Sequence, residues 1–309
     1  MTQSNRRDDG TFFAWDSTML KSAEKCPRYF QYKMMEGWQP ARKSVHLVFG
    51  GHYAKALERY HRLRAEGVDL DSALESVILD CLRETWEITG SRDGVPIGKP
   101  WDSMDNTKTR ETLIRSIIWY IDEFAEDPLA TVILPDGKAA AELSFTLAVD
   151  NDILLCGHMD RLCQQGEDIY VADNKTTSSV INSRFFDQFS PDTQMSLYTF
   201  AGHAIYNLPV KGVVIDGAQI LVGGTRFERG FSFRTQEQLD EWYDMAMEMI
   251  LRVNTYVKED FFPMNPSSCG NYGGCEFRHI CSRSPKQREA FLKGDFDRSG
   301  SVWNPLERR

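Results

Sequence analysis

Two short segments bring acids and an amine together: Gly157-His158-Met159-Asp160-Arg161 and Asp173-Asn174-Lys175-Thr176. Asp173 and Lys175 are two apart, so on a strand they project to one face. There a carboxylate can hold a divalent cation, and an amine can touch the water that the cation polarises. Two acids and a lysine so arranged suit metal-dependent hydrolysis of a phosphodiester. An acidic chain also produces D-x-K by chance, and this one repeats it at Asp136-Gly137-Lys138. That copy follows Leu134-Pro135, contains a glycine and reads as a turn. The triplet at Asp173 instead ends a strand pattern over residues 168–172, and Asp160 follows another over 153–157.

The elements that must position these groups form a regular series. Residues 139–149, 153–157 and 168–172 read as strands, followed by a helix over 192–204, strands over 212–222 and 230–234, and a long helix over 236–257. This order within a helical surround predicts an α/β fold, a central mixed sheet flanked by helices. Upstream, the first ten residues read as a mobile tail. Helices are expected over 17–35, with Ser17 as N-cap, and over 52–65, where Tyr53, Ala56, Leu57 and Tyr60 share an apolar face. Two more are expected over 72–88 and 109–126, separated by a Gly/Pro-rich loop around 94–100. The chain is thus divided into a helical region (1–135), a sheet core (136–235) and a C-terminal helix, cysteine loop and tail (236–309), packed as one unit.

Bulk composition narrows the function. Thirty-six basic against 45 acidic residues give a net charge of −9, which argues against a general nucleic-acid coating protein but suits an enzyme whose acids bind cations. A hydrophobic content of 41% supports a full core. No segment resembles a signal peptide or reaches the length of a membrane span, so a cytoplasmic protein that makes no membrane contact is expected. Its seven cysteines then read as thiols or metal ligands.

Two further groupings carry chemistry. Gln194 and Tyr198 lie at i and i+4 on one helix face directly after the Asp/Lys strand, where they can bond a phosphate or orient the lysine; an ordinary amphipathic helix is the plainer reading of the same spacing. Cys269, Cys275 and Cys281 form C-x5-C-x5-C in a Gly/Asn-rich stretch, with Cys26 far upstream in Cys26-Pro27-Arg28-Tyr29-Phe30. Four thiolates suit an iron–sulfur cluster or a structural zinc, and the spacing does not decide between them. Cys81, Cys156 and Cys163 sit within helix or strand patterns and read as small buried hydrophobes.

Taken in order, these motifs resemble the RecB-type branch of the PD-(D/E)xK nuclease superfamily, which includes CRISPR-associated spacer-processing exonucleases and phage-encoded relatives. Cys26 to Phe30 looks like the first cluster cysteine, Gly157 to Arg161 like the G-x-x-D-R acid, Asp173 to Thr176 like D-x-K-T and Gln194 to Tyr198 like Q-x-x-x-Y. The last three cysteines resemble the C-terminal cluster set, so the motifs span residues 17–281. The resemblance implies a restriction-endonuclease-like core in which Asp160 and Asp173 bind Mg²⁺ or Mn²⁺ with the backbone carbonyl of Asn174. Lys175 would position or deprotonate the attacking water, and Gln194 and Tyr198 would hold the phosphate or Lys175. Cys26, Cys269, Cys275 and Cys281 would bind a structural [4Fe–4S] cluster.

One position departs from the pattern. The family's metal-binding His lies four residues after a glycine, and Phe49-Gly50-Gly51-His52-Tyr53-Ala54 puts Ala54 there. Glu58, one helical turn on, is the leading replacement, against an equally weighted reading in which it pairs with Arg62 on a solvated surface; His61 lies a further turn along, and His52 is rotated away by about 200°. Glu142, which starts the strand before that of Asp160, is a candidate neighbour of the site, with an ordinary surface strand residue as the default reading.

The implied activity is a metal-dependent DNA nuclease, by family habit an exonuclease, in phage or prokaryotic DNA processing, recombination or repair. Its partners would be DNA ends or single strands and recombination or processing proteins. Tyr29, Phe30, Tyr32 and Trp38 are read first as core residues, with stacking on single-stranded bases as the alternative. Two rivals are a catalytically weak nuclease-derived DNA-binding or assembly module, with Ala54 as its sign, and a zinc-stapled protein-interaction domain.

Overall fold

The computed structural model describes residues 4–40, 44–93, 95–206, 209–298 and 302–307. The chain divides into two compact units, one built from residues 1–43, 144–158 and 235–309, the other from 44–143 and 159–234.

In the second unit the Asp168–Thr177 strand sits mid-sheet. It pairs antiparallel with the end of the Ile153–Gln165 strand, from Arg161 opposite Ala172 to Gln165 opposite Asp168. On its other side it runs parallel to Val210–Ile220, with Asp173 beside Ile215 and Lys175 beside Gly217. Thr225–Phe233 closes that edge antiparallel, and Ala130–Thr131 closes the other at Gln164 and Cys163. Parallel neighbours need a crossover, which the Thr193–Tyr206 helix supplies. That helix packs on both parallel strands, and its Gly202 lies where a Cβ would meet the Val210 side chain at 2.9–3.1 Å.

Helices Val45–Ala65, Leu70–Glu84 and Arg110–Glu123 pack together around Phe49, Tyr53, Leu57, Leu113, Ile117 and Tyr120, and reach Ala218 and Ile220 on the sheet. Side chains alternate along a strand, so Ile215 and Gly217, and with them Asp173 and Lys175, face away from that cluster and toward the crossover helix. The central mixed sheet flanked by helices is the α/β architecture expected, and it leaves the D-x-K pair between sheet and helix.

In the first unit, residues 144–158 form a β-hairpin, and Ala14–Trp15 runs parallel to Leu154 and Leu155. Phe12, Trp15 and Phe30 lie with ring centroids 5.4–5.8 Å apart. A capping box at Thr235 and Gln238 starts the Gln236–Glu259 helix. A second core joins Tyr32, Trp38, Phe277, Ile280, Leu292 and Phe296.

Several boundaries differ from expectation. Of the expected N-terminal tail, residues 1–3 lie outside the described residues. The rest folds back: Asn5 is buried, Arg6 bridges to Phe12, and Gly10 makes the turn at φ +81°. The N-cap is Asp16, not Ser17, because its carboxylate accepts from Met19 N at 2.8 Å. The helix expected over 17–35 stops at Lys25, since Cys26 is extended and Pro27 restarts a short helix that widens into a π-turn over Gln31–Met35. Glu84 ends the helix expected to reach residue 88, and the presumed loop beyond it belongs to a solvent-exposed hairpin, Trp86–Arg92 with Val95–Pro100. Phe30, Tyr32 and Trp38 are buried in the two aromatic clusters and pack the core rather than offering a stacking surface.

Candidate active site

Asp173 is only 3% exposed in its side chain and lies 2.6 Å from the Lys175 ammonium. Lys175 Nζ also donates to Gln194 Oε1 at 3.1 Å, and Gln194 Nε2 donates to Tyr198 Oη at 3.0 Å. The helix start makes this chain of contacts possible. Asp192 caps it by accepting from Gln194 N and Met195 N at 2.9 and 3.1 Å, so Gln194 sits in the first turn and Tyr198 one turn on. Pro191-Asp192 is a helix-start signal visible in sequence, and it identifies Asp192 as the residue that aims Gln194.

Asp160 lies inside its strand rather than at its end, since pairing continues to Gln165. Both donors of Asn174, the backbone N–H at 3.0 Å and the side-chain amide at 3.1 Å, hold the same oxygen of Asp160. The family resemblance implies a role only for the Asn174 carbonyl, and nothing in the motif signals its amide. Burial and then the Asp173 charge push the Asp160 carboxyl up to about 6, although Asn174 and Lys175 favour its ionised form. Burial pulls the Lys175 ammonium down, but Asp173 and then Asp160 outweigh it, so Lys175 stays charged above its ordinary value. Gly157 is required by packing: a Cβ there would lie 2.9 Å from the Phe145 ring.

A second acidic pair completes the neighbourhood. Glu58, from the Val45–Ala65 helix, is pushed up to about 8 by burial, by a hydrogen bond with Glu142 and by the charges of Glu142 and Asp160. Arg62 Nη1 stands 3.6 Å from each of Glu58 and Glu142. Glu142 holds a left-handed backbone, φ +55°, which is strained for a residue with a Cβ. The histidines weighed beside Glu58 lie elsewhere. His61 is buried against Tyr120 Oη at 3.3 Å, in a network with Asp216, Arg229 and Asp127, and burial keeps its imidazole neutral well below the usual range. His52 lies beside Glu84 and the Trp101 ring.

Asp160, Asp173 and Glu58 are hard oxygen donors of the kind Mg²⁺ and Mn²⁺ take, and their electrostatic coupling marks them as neighbours. Among the described residues no three His, Cys, Asp or Glu side chains are gathered at metal-holding distance. In this arrangement Lys175 and Arg62 neutralise the acids instead.

In the other unit, Cys26, Cys269, Cys275 and Cys281 line one cavity of about 270 Å³ with Lys25, Tyr29 and Asn265. Burial first, then the neighbouring cysteines, raise the Cys275 and Cys281 thiols. Asn265 N donates to Cys26 Sγ at 3.3 Å. Four cysteines lining one cavity fit a soft-metal or cluster site by donor type. Cys81, Cys156 and Cys163 are buried singly, as expected.

No helix among the described residues is long and apolar enough to cross a membrane. No curated protein matches the chain. Among solved structures, one described as "Putative exonuclease" from Eubacterium rectale superposes with a TM-score of 0.49 at 14% identity, covering 88% of this chain and 89% of that one. A family model, described as the PD-(D/E)XK nuclease superfamily, matches residues 17–282. That span runs from the first helix through Asp160, Asp173, Lys175 and Gln194 to the last cysteine, and the chain therefore belongs to the PD-(D/E)XK nuclease superfamily.

Proposed function

We propose that this nuclease-superfamily chain is a divalent-metal-dependent deoxyribonuclease of the RecB-type branch, acting as an exonuclease in phage or prokaryotic DNA processing. The observation that carries the reading is the Lys175 ammonium held between the Asp173 carboxylate and the Gln194 amide beside Asp160. Asp160, Asp173 and Glu58, with the Asn174 carbonyl, would hold Mg²⁺ or Mn²⁺. Such an ion, when bound, lowers the pKa of its water and offsets charge on the scissile phosphate.

The residues of the chain do the rest. Lys175, kept as an ammonium by two carboxylates, donates to the attacking water and to the phosphate oxygen that gains charge, so its part is positioning and charge stabilisation. Gln194 fixes the lysine and is itself fixed by Tyr198. Asn174 holds the Asp160 carboxylate by two hydrogen bonds to one of its oxygens. Cys26, Cys269, Cys275 and Cys281 would hold a structural [4Fe–4S] cluster, with zinc the competing occupant, joining the start of the chain to its C-terminal loop.

The test incubates purified protein with end-labelled single- and double-stranded DNA in Mn²⁺, beside Asp173→Ala and Lys175→Ala. Loss of label from the wild type alone supports the reading; equal activity in all three, or none with any divalent metal, overturns it. Anaerobically purified protein should be brown and contain iron, and a colourless zinc protein would refute the cluster.

A further inference from the structure

In a chain of net charge −9, the stretch between Glu276 and Glu289 carries Arg278, Arg283, Lys286 and Arg288 and no acid. Arg278 and Arg283, with Cys275, His279 and Ser282, line an open pocket of about 440 Å³ in the cysteine-bearing unit. The acids around it are already matched: Glu276 with Lys33 at 2.7 Å, Glu289 with Lys293 at 2.6 Å and Asp295 with His279 at 3.1 Å. Arg278, Arg283 and Lys286 are exposed and have no ion pair among the described residues. The surface is also braced. Arg288 donates to the carbonyls of Cys281 and Arg283 at 3.1 and 3.2 Å, and the Arg283 guanidinium lies over the Phe291 ring at 4.4 Å.

We propose that this surface holds the sugar-phosphate backbone of DNA, a contact separate from the cleavage residues. The inference rests on the reading of the chain as a DNA nuclease. Two unneutralised guanidinium groups lining one braced pocket, with the exposed Lys286 ammonium three residues beyond Arg283, match the spaced charges of a phosphodiester chain. The pocket lining contains no aliphatic or aromatic anchor of the kind a protein partner would need. Arg278 also lines the cavity of the four cysteines, so the competing role for these cations is to balance the charge of thiolates there.

The experiment measures anisotropy of labelled single- and double-stranded oligonucleotides, without added divalent metal, across a salt series. Arg278→Gln/Arg283→Gln/Lys286→Gln should lower affinity about tenfold or more and flatten the slope of log affinity against log salt by about two. Lys138→Gln/Lys211→Gln/Lys258→Gln, which alters net charge equally at other sites, should bind within about twofold of wild type. Equal loss in both triple variants, or an unchanged salt slope, overturns the proposal; so does loss of cysteine-bound metal with DNA affinity retained. Arg278→Gln/Lys286→Gln, which breaks no described side-chain contact, gives the same reading if the triple variant does not fold. Cleavage is not measured, so failure here and failure of the Asp173 and Lys175 variants remain distinguishable.

Discussion

The chain carries D-x-K twice, and the two copies share little beyond composition. At Asp136-Gly137-Lys138 the side chains are 52% and 80% exposed, the ion pair spans 3.0 Å, and Gly137 turns the chain at φ +82°. At Asp173-Asn174-Lys175 the pair spans 2.6 Å, Asp173 is almost fully enclosed, strands flank it on both sides, and Gln194 grips the lysine. A solvated pair contributes little to anything, whereas an enclosed one pays a desolvation cost that stability alone does not reward. Residue type and spacing therefore specify chemistry only where the backbone withdraws the groups from water and sets them against others.

The largest difference between the copies should appear in catalysis. Asp173→Ala and Lys175→Ala are each expected to slow DNA cleavage in Mn²⁺ by about 10²–10³-fold or more. Asp136→Ala and Lys138→Ala should match the wild type within about twofold. A comparable loss from Asp136→Ala would break the comparison at its root.

A smaller effect tests how far the enclosed site extends. If Glu58 is a ligand, Glu58→Gln should raise the Mn²⁺ concentration for half-maximal cleavage about 100-fold, and Glu142→Gln about tenfold, through Arg62 swinging fully onto Glu58. A Mn²⁺ titration that leaves the Glu58→Gln midpoint in place would remove Glu58 from the site.

The parts of this site that are readable from sequence are those that follow a period. Strand alternation puts Asp173 and Lys175 on one face, and helix periodicity aligns Gln194 with Tyr198. What is not readable depends on partners far along the chain. The strand expected to end at residue 157 continues to Gln165, because Arg161 is buried with its guanidinium on the Leu129 carbonyl at 3.0 Å, so a charged residue occupies a core position. Glu142 reaches Glu58 through a left-handed backbone that no spacing rule reports. His61, periodic with Glu58 and so plausible as a ligand, is claimed by Tyr120 from another helix. The break at Cys26 did carry its signal in Pro27, overridden by the apolar pattern on either side.

The enclosed acids should also lower the stability of the metal-free protein, with a sign opposite to that of the exposed copy. The Asp160 carboxyl, raised to about 6 from an unfolded value near 3.9, binds a proton in the folded state that the unfolded chain has released. Stability is thus lost as pH rises from about 4 to 6, and the charge costs about 3 kcal/mol at pH 7. Asp160→Asn, which keeps an oxygen for Asn174, should raise the melting temperature at pH 7 by a few degrees and lose that advantage by about pH 4. Destabilisation at every pH would mean that burial of Asp160 is not a cost.

The smallest expected effect completes the contrast. Asp136 is held below the usual carboxylate range by hydrogen bonds from the Lys138 side chain and backbone, so it favours the folded state above its unfolded pKa and loses that contribution as pH falls through its folded value. Asp136→Asn should therefore leave the melting temperature at pH 7 unchanged or slightly lowered, with no difference from wild type in acid, because water screens the pair. Differential scanning calorimetry of the two Asn variants in parallel decides the matter through the sign of the change. A gain at Asp160 and none at Asp136 would mean that the acids near Lys175 are retained against their cost to folding, which a structural ion pair would not require.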